Sequence, residues 1–229
     1  MRSGESGVPL ETRIRESFEE ADRLWAEATA TVVPGELACR GGCFGCCVGL
    51  FEITLPEALL VREGFSLLPA GEREDSLRRA ARIVERTAQV FPGEASTGVL
   101  DPGRTEEEDD RYFEVVSESA CPMLELPGGR CRIYAHRPIT CRTFGVAWKR
   151  SGEVVNPACP LNFPEGGEER QRETAIDLDL LTSADQLLAE AALAAGLPAG
   201  LESTIPHALV GSAFAELGDG GRSGDGGGS

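Results

Sequence analysis

The sequence's capacity for chemistry lies in its sulfur. Cys39, Cys43, Cys46 and Cys47 crowd into one short stretch, and Cys121, Cys131, Cys141 and Cys159 follow at wide intervals. Four plus four is the ligand arithmetic of tetrathiolate zinc or of cubane iron-sulfur centres. The close spacing of the first group lets sulfurs converge at little loop-closure cost, whereas the second group depends on the fold to bring its members together. Gly41, Gly42 and Gly45 permit the tight turns that would aim several sulfurs at one point. Consecutive side chains point apart in regular backbone. The adjacent Cys46 and Cys47 can therefore ligate one ion together only with a special turn; it is easier for them to serve two centres, or for one to stand outside the coordination sphere, and ligation mixed across the two groups is expected.

A second feature surrounds the later cysteines. Between Pro127 and Gly152 there is no Asp or Glu, yet Arg130, Arg132, Arg137, Arg142, Lys149 and Arg150 all fall there. Four thiolates around zinc, or around a cubane, make an anion that nearby guanidinium groups would offset and tune. Arg132, Arg137 and Arg142 are the candidates to face the bound group, the plainer reading being a solvated charged face. His136 and His207 read as packing or surface residues rather than ligands. With two histidines, no Ser-His-Asp or Cys-His set stands out, and Trp25 and Trp148 read as core.

The elements that must position these groups are mostly helical. Leu10, Ile14, Phe18, Ala21, Leu24, Ala28 and Val32 recur at steps of three and four, forming one face of a helix that Pro34-Gly35 would end. The ligand loop follows, then a short helix from Pro56. Leu77, Ala81, Val84, Ala88 and Phe91 place a helix over Glu72 to Val90, stopped by Pro92-Gly93. Gly93 to Asp110 reads as a solvated loop and Tyr112 to Ser117 as a strand. Phe144 to Lys149 and Glu153 to Asn156 pair as a hairpin about Ser151-Gly152. A helical segment runs from Ala175 to Ala195, divisible at the capping-box spacing of Ser183 and Gln186, and closed by Gly196 and Pro198. Pro206 to Leu217 forms a last helix. The tail from Gly218 to Ser229 is too poor in apolar side chains to offset its ordering entropy and is expected to be disordered.

A chain of 229 residues, 41% hydrophobic, can bury one substantial core. The expected fold is mainly α with a small β element: a single domain over residues 1–217, irregular and metal-stapled between Cys39 and Cys159. The amino terminus lacks an apolar signal-peptide core, and no apolar run is long enough to span a bilayer. Eight cysteines without an export signal point to the reducing cytoplasm, where thiol clusters usually mean metal or redox chemistry. A net charge of -16 argues against nucleic acid or anionic lipid as partners. A protein partner is open, as is the oligomeric state.

The order of these residues carries a resemblance. Cys46-Cys47 closes the first group, and Cys121-Pro122, Cys131-Arg132-Ile133-Tyr134, Arg137-Pro138, Cys141-Arg142 and Cys159 follow. In this the chain resembles the YkgJ-type CxxCxxCC family of zinc- or iron-chelating domains from about Cys39 to Cys159. It departs from the family motif in the first gap, which holds three residues instead of two and makes Cys39 the least secure carried-over position. The resemblance implies a bound zinc or iron-sulfur centre; one member is associated with flagellin lysine methylation.

Three functions are weighed. The first is an iron-sulfur protein, with a 4Fe-4S cluster used in electron transfer, redox sensing or a modification reaction. The second is a structural zinc domain that mediates protein interaction. The third is a component of a lysine methylation system, or an enzyme resembling those that cleave S-adenosylmethionine radically. Cys39, Cys43 and Cys46 do spell the C-x3-C-x2-C triad of such enzymes, but their β/α barrel has no counterpart in the pattern of elements. Whether the protein is an enzyme stays open on sequence alone.

Overall fold

The computed structural model describes residues 10–165, 167–194 and 200–214; the Gly-rich tail and the closing Gly196 and Pro198 lie outside these. The fold is mainly α with small sheets. In chain order the elements are α1 (Leu10–Ala28), β1 (Glu52–Thr54), α2 (Leu55–Ser66), α3 (Ala70–Thr87), β2 (Gly93–Glu94), β3 (Val99–Leu100), α4 (Glu106–Val116), β4 (Leu124–Glu125) and β5 (Arg130–Cys131). Then come α5 (Ile139–Thr143), β6 (Trp148–Arg150), β7 (Glu153–Asn156), α6 (Gly167–Glu173), β8 (Ile176–Asp177), α7 (Leu178–Ala194), β9 (Glu202–Thr204) and α8 (Ile205–Val210). These fall into two compact units, one ending its first stretch at Cys47 and resuming over Leu124–Gly200, the other made of Val48–Met123 and the residues from Leu201 onward.

In the first unit the expected face of α1 is the buried one: Ile14, Phe18, Ala21 and Leu24 are all inside. The helix packs along α7 and across α5, where Leu181, Leu188 and Ala192 of α7 supply buried apolar side chains. Burying a side chain of Leu, Ile or Phe size is worth about 1.5–3 kcal/mol, so this seam anchors the unit. α1 stops at Ala28, a turn short of Val32. The expected hairpin is present as β6 and β7, its first strand starting at Trp148 rather than Phe144, and turns on Ser151 and Gly152, both at positive φ, as the twist of a two-residue hairpin turn requires. β8, absent from the sequence reading, adds to β6 in parallel. α7 is one helix rather than two pieces. Trp25 and Trp148 are half-buried rather than core.

In the second unit Thr54 caps α2 through a reciprocal capping box with Glu57, with Pro56 in the first turn. α3 forms where expected, but its buried face is Ser76, Ala80, Ile83 and Thr87, one residue round from the predicted stripe, and Leu77 is exposed. Small hydroxyl residues can face inward because they satisfy themselves locally: Thr87 Oγ1 donates to the Ile83 carbonyl at 2.9 Å. The region read as a solvated loop and a strand is instead the β2–β3 hairpin followed by α4. Thr105 and Glu108 form a second capping box, which converts the acidic run into a helical first turn favoured by the helix dipole. Tyr112 and Val116 of that helix join Ile83, Phe91 and Leu100 in the core of this unit. β1 pairs antiparallel with β9, and α8 packs on α2 and α3.

Candidate metal centre

Seven of the eight cysteines lie in the first unit: Cys39, Cys43, Cys46, Cys47, Cys131, Cys141 and Cys159. Cys121 belongs to the second, where its carbonyl accepts a hydrogen bond from Arg79 at 2.7 Å. All eight are among the described residues, and none forms a disulfide. The Cys39–Cys47 stretch folds as two consecutive tight turns, in which the Cys43 amide donates to the Arg40 carbonyl at 2.9 Å and the Cys47 amide to the Phe44 carbonyl at 2.8 Å. Gly45–Cys47 is a short 3-10 turn. Cys131 arrives on the β4–β5 hairpin, whose Gly129 nests against the loop: a Cβ there would meet the Gly42 carbonyl oxygen and the Phe44 ring, each at 2.7 Å.

The thiols influence one another across both sequence groups. Cys39 is pushed up by burial, the largest effect, and by the proximity of Cys43, Cys159 and Cys46, against a lowering hydrogen bond from Asn162. Cys46 is driven far up, first by its hydrogen bond with Cys47 and then by burial, with Arg137 opposing. Cys131 is raised chiefly by burial and further by Cys46, while Arg137 and Arg142 act to lower it. Cys141 sits on α5 next to Arg142. Cys39 and Cys46 are nonetheless exposed and Cys131 is half-buried, so it is partial desolvation and mutual repulsion that oppose bare thiolates here, and a bound cation is what would favour their ionisation. Among the described residues no three His, Cys, Asp or Glu side chains already stand at the spacing of ligands about a single ion.

The three predicted arginines have different surroundings. Arg142, 8% exposed, donates to the Arg137 carbonyl at 2.9 Å, the Ala135 carbonyl at 2.7 Å and Asp22 at 2.6 Å, and its guanidinium lies 4.3 Å from the Phe18 ring centroid. It ties α5 to α1. Arg137 stacks over Tyr134 at 3.9 Å and stands 3.9 Å from Asp22, while its Nε is buried with no hydrogen-bond partner among the described residues. Arg132 follows Cys131 and is half-buried. A sulfur-only donor set from several segments, with an orphaned guanidinium nitrogen on a cation that acts on Cys46 and Cys131, fits a thiolate-held metal group.

The residues the sequence reading missed are Asn162 and Gly145. Asn162, 4% exposed, accepts from the Ala38 amide at 2.8 Å and donates through Nδ2 to the Gly145 carbonyl at 2.6 Å and to Cys39 Sγ at 3.4 Å. Its only signal in the sequence is an Asn at turn distance after Cys159. Gly145 has φ +111, and a Cβ there would fall 2.9 Å from Cys39 Sγ.

Residues 38–160, a little over half of the chain, match the CxxCxxCC family, whose description is "Putative zinc- or iron-chelating domain". No curated protein and no solved structure matches the chain.

Proposed function

As a chain that belongs to the CxxCxxCC family, this protein is a cysteine-rich metal-binding protein of the zinc- or iron-chelating kind, and we propose that its metal is iron, held as a thiolate-ligated 4Fe-4S cluster for electron transfer or redox sensing. The observation that carries this reading is the all-sulfur donor set of one compact unit with arginine charge acting on it, Arg137 on Cys46 and Cys131 and Arg142 on Cys131, which suits an anionic cluster. When bound, the cluster would supply reversible one-electron chemistry. Its four ligands are proposed to come from among Cys39, Cys43, Cys46, Cys131 and Cys159, with Cys47 and Cys141 as further thiols of the same unit and Cys121 as the eighth, carried by the other. Arg137, acting on Cys46 and Cys131, would offset the anionic charge and raise the potential. Arg142 would act indirectly, by fixing α5 and the carbonyls of Ala135 and Arg137. The reading requires a compartment that keeps thiols reduced, and the cytoplasm meets that need. No helix among the described residues is long and apolar enough to cross a membrane.

A structural zinc site that mediates protein interaction is the second reading, favoured by the two tight turns at Arg40–Cys43 and Phe44–Cys47, which resemble the short ligand-bearing turns of zinc domains. The C-x3-C-x2-C triad has no β/α barrel beside it among the described residues, whose sheets have two or three strands. Anaerobic purification followed by metal and sulfide analysis and a visible spectrum decides between the first two. Iron with equimolar sulfide and a brown colour is expected. Colourless protein with stoichiometric zinc would transfer the case to the structural reading, and folded protein with neither metal would remove both.

A further inference from the structure

Cys39 is the cysteine whose spacing departs from the family motif, yet its sulfur has a buried side-chain partner, Asn162. Asn162 begins from the far group: its own amide donates to the Cys159 carbonyl at 2.8 Å, and the Cys159 amide donates to the Gly145 carbonyl at 3.2 Å. The carboxamide then faces the stretch from Ala38 to Cys39. Its orientation is set by partners of fixed polarity, because the Ala38 amide can only donate and the Gly145 carbonyl can only accept. That assigns the NH2 group to the side of Cys39, where its remaining hydrogen meets Sγ at 3.4 Å. A second strap runs beside the first. The Phe163 amide donates to the Glu36 carbonyl at 2.6 Å, from a residue held at φ 54, and the Glu36 carboxylate is gripped by Arg170 at 2.8 and 2.7 Å. The backbone from Glu36 to Cys39 is thereby docked on the turn that follows Cys159.

Resting on the metal-centre reading above, we propose that Asn162 is a positioning residue of that centre: it joins Cys39 to the Cys159 turn and donates an N–H to the Cys39 sulfur, with Gly145 leaving the space that the sulfur occupies. A neutral donor of this kind stabilises a ligating thiolate without competing for the metal. Partners of this sort are worth about 10–100-fold in metal retention, and hydrogen bonds to sulfur help to set cluster potentials. Asparagine suits the place because it must accept on one side and donate twice on the other; Asp keeps the acceptor and loses both donors.

The test uses the full chain as isolated with its metal, reading the iodoacetamide labelling of each cysteine by peptide mass spectrometry and metal release to a chromogenic chelator. In the wild type Cys39 should be protected along with Cys43 and Cys159. Asn162→Ala and Asn162→Asp should label Cys39 about tenfold faster, with Cys43 and Cys159 still protected, and should release metal about tenfold faster. Gly145→Ala keeps the Asn162 side chain but crowds its contact with the sulfur, the new Cβ falling 2.9 Å from Cys39 Sγ and 3.3 Å from Asn162 Nδ2, and should give the same selective pattern, which keeps the test readable if the Asn162 variants fold poorly. Cys39 remaining protected in all three variants overturns the proposal. So does labelling of all the cysteines together, which would mark general loosening, or reactive Cys39 in the metal-loaded wild type. Wild-type protein isolated without metal would instead sink the parent reading.

Discussion

Arg137 and Arg142 come from the same acid-free stretch, and their hydrogen bonds separate their roles. Arg142 engages each of its three guanidinium nitrogens, with two carbonyls and Asp22, so its loss is a stability event. Arg142→Ala should lower the unfolding free energy by about 2–3 kcal/mol, the scale of buried hydrogen bonds to a charged group discounted for the half-exposed Asp22. Urea titration reads it, and metal stoichiometry per folded molecule should be unchanged. Arg137 has a buried Nε without an acceptor among the described residues and acts on two thiols. Arg137→Gln should therefore shift the urea midpoint little while releasing metal roughly tenfold faster. For the ligands themselves, Cys43→Ser or Cys46→Ser should strip metal and reduce soluble yield, whereas His136→Ala should keep the full metal content. Equal content in all three by elemental analysis would contradict the ligand assignment.

At the scale of elements, what could be read from the sequence was what local periodicity or a local cap encodes. α1, α2 and the β6–β7 hairpin fall where their apolar spacing, Pro56 and Ser151-Gly152 put them. α4 was misread because a run of acids looks solvated until Thr105 is seen as its cap. Thr105→Ala should cost about 1 kcal/mol, measured as a lower urea midpoint, with loss of helical circular dichroism confined to about one helix. The face of α3 was misassigned for another reason. The stripe through Leu77 is the more apolar by side-chain type, and tertiary packing instead buries the one holding Ser76 and Thr87, which propensity alone would leave outside. The site divides the same way. The cysteines announce themselves by type and spacing. Asn162 and Gly145 do not, because their roles exist only once residues more than a hundred positions apart in sequence, Ala38 and Cys39 on one side and Asn162 on the other, are brought together.

At the scale of the molecule, each compact unit carries its own conditional stability. In the second, His207 is fully buried, stacked on Phe91 at 3.9 Å, in contact with Thr204 Oγ1 at 2.9 Å through Nδ1, and without a partner for Nε2 among the described residues. Burial pushes its pKa down to about 4, against about 6.5 in the unfolded chain. The unfolded state therefore takes up the proton first as pH falls. Stability is full above about pH 6.5, is lost progressively below it, and levels off below about pH 4. The loss between pH 7.5 and pH 5 should be about 2 kcal/mol, and His207→Gln should remove that share of the pH dependence of the urea midpoint. In the first unit the conditional term is the metal, since thiols opposed to ionisation by burial recover that cost only through a cation, so binding and folding are coupled there. Removing metal with a chelator at pH 7.5 should then abolish hydrogen-exchange protection in β4, β5, α5 and the Cys39–Cys47 turns, while amides of α3 and α4, built on the Ile83, Phe91 and Tyr112 core, keep theirs. The reverse order, with α3 and α4 opening first, would mean that the metal's stabilisation is delivered to the second unit, and the assignment of the centre to cysteines of the first would fail.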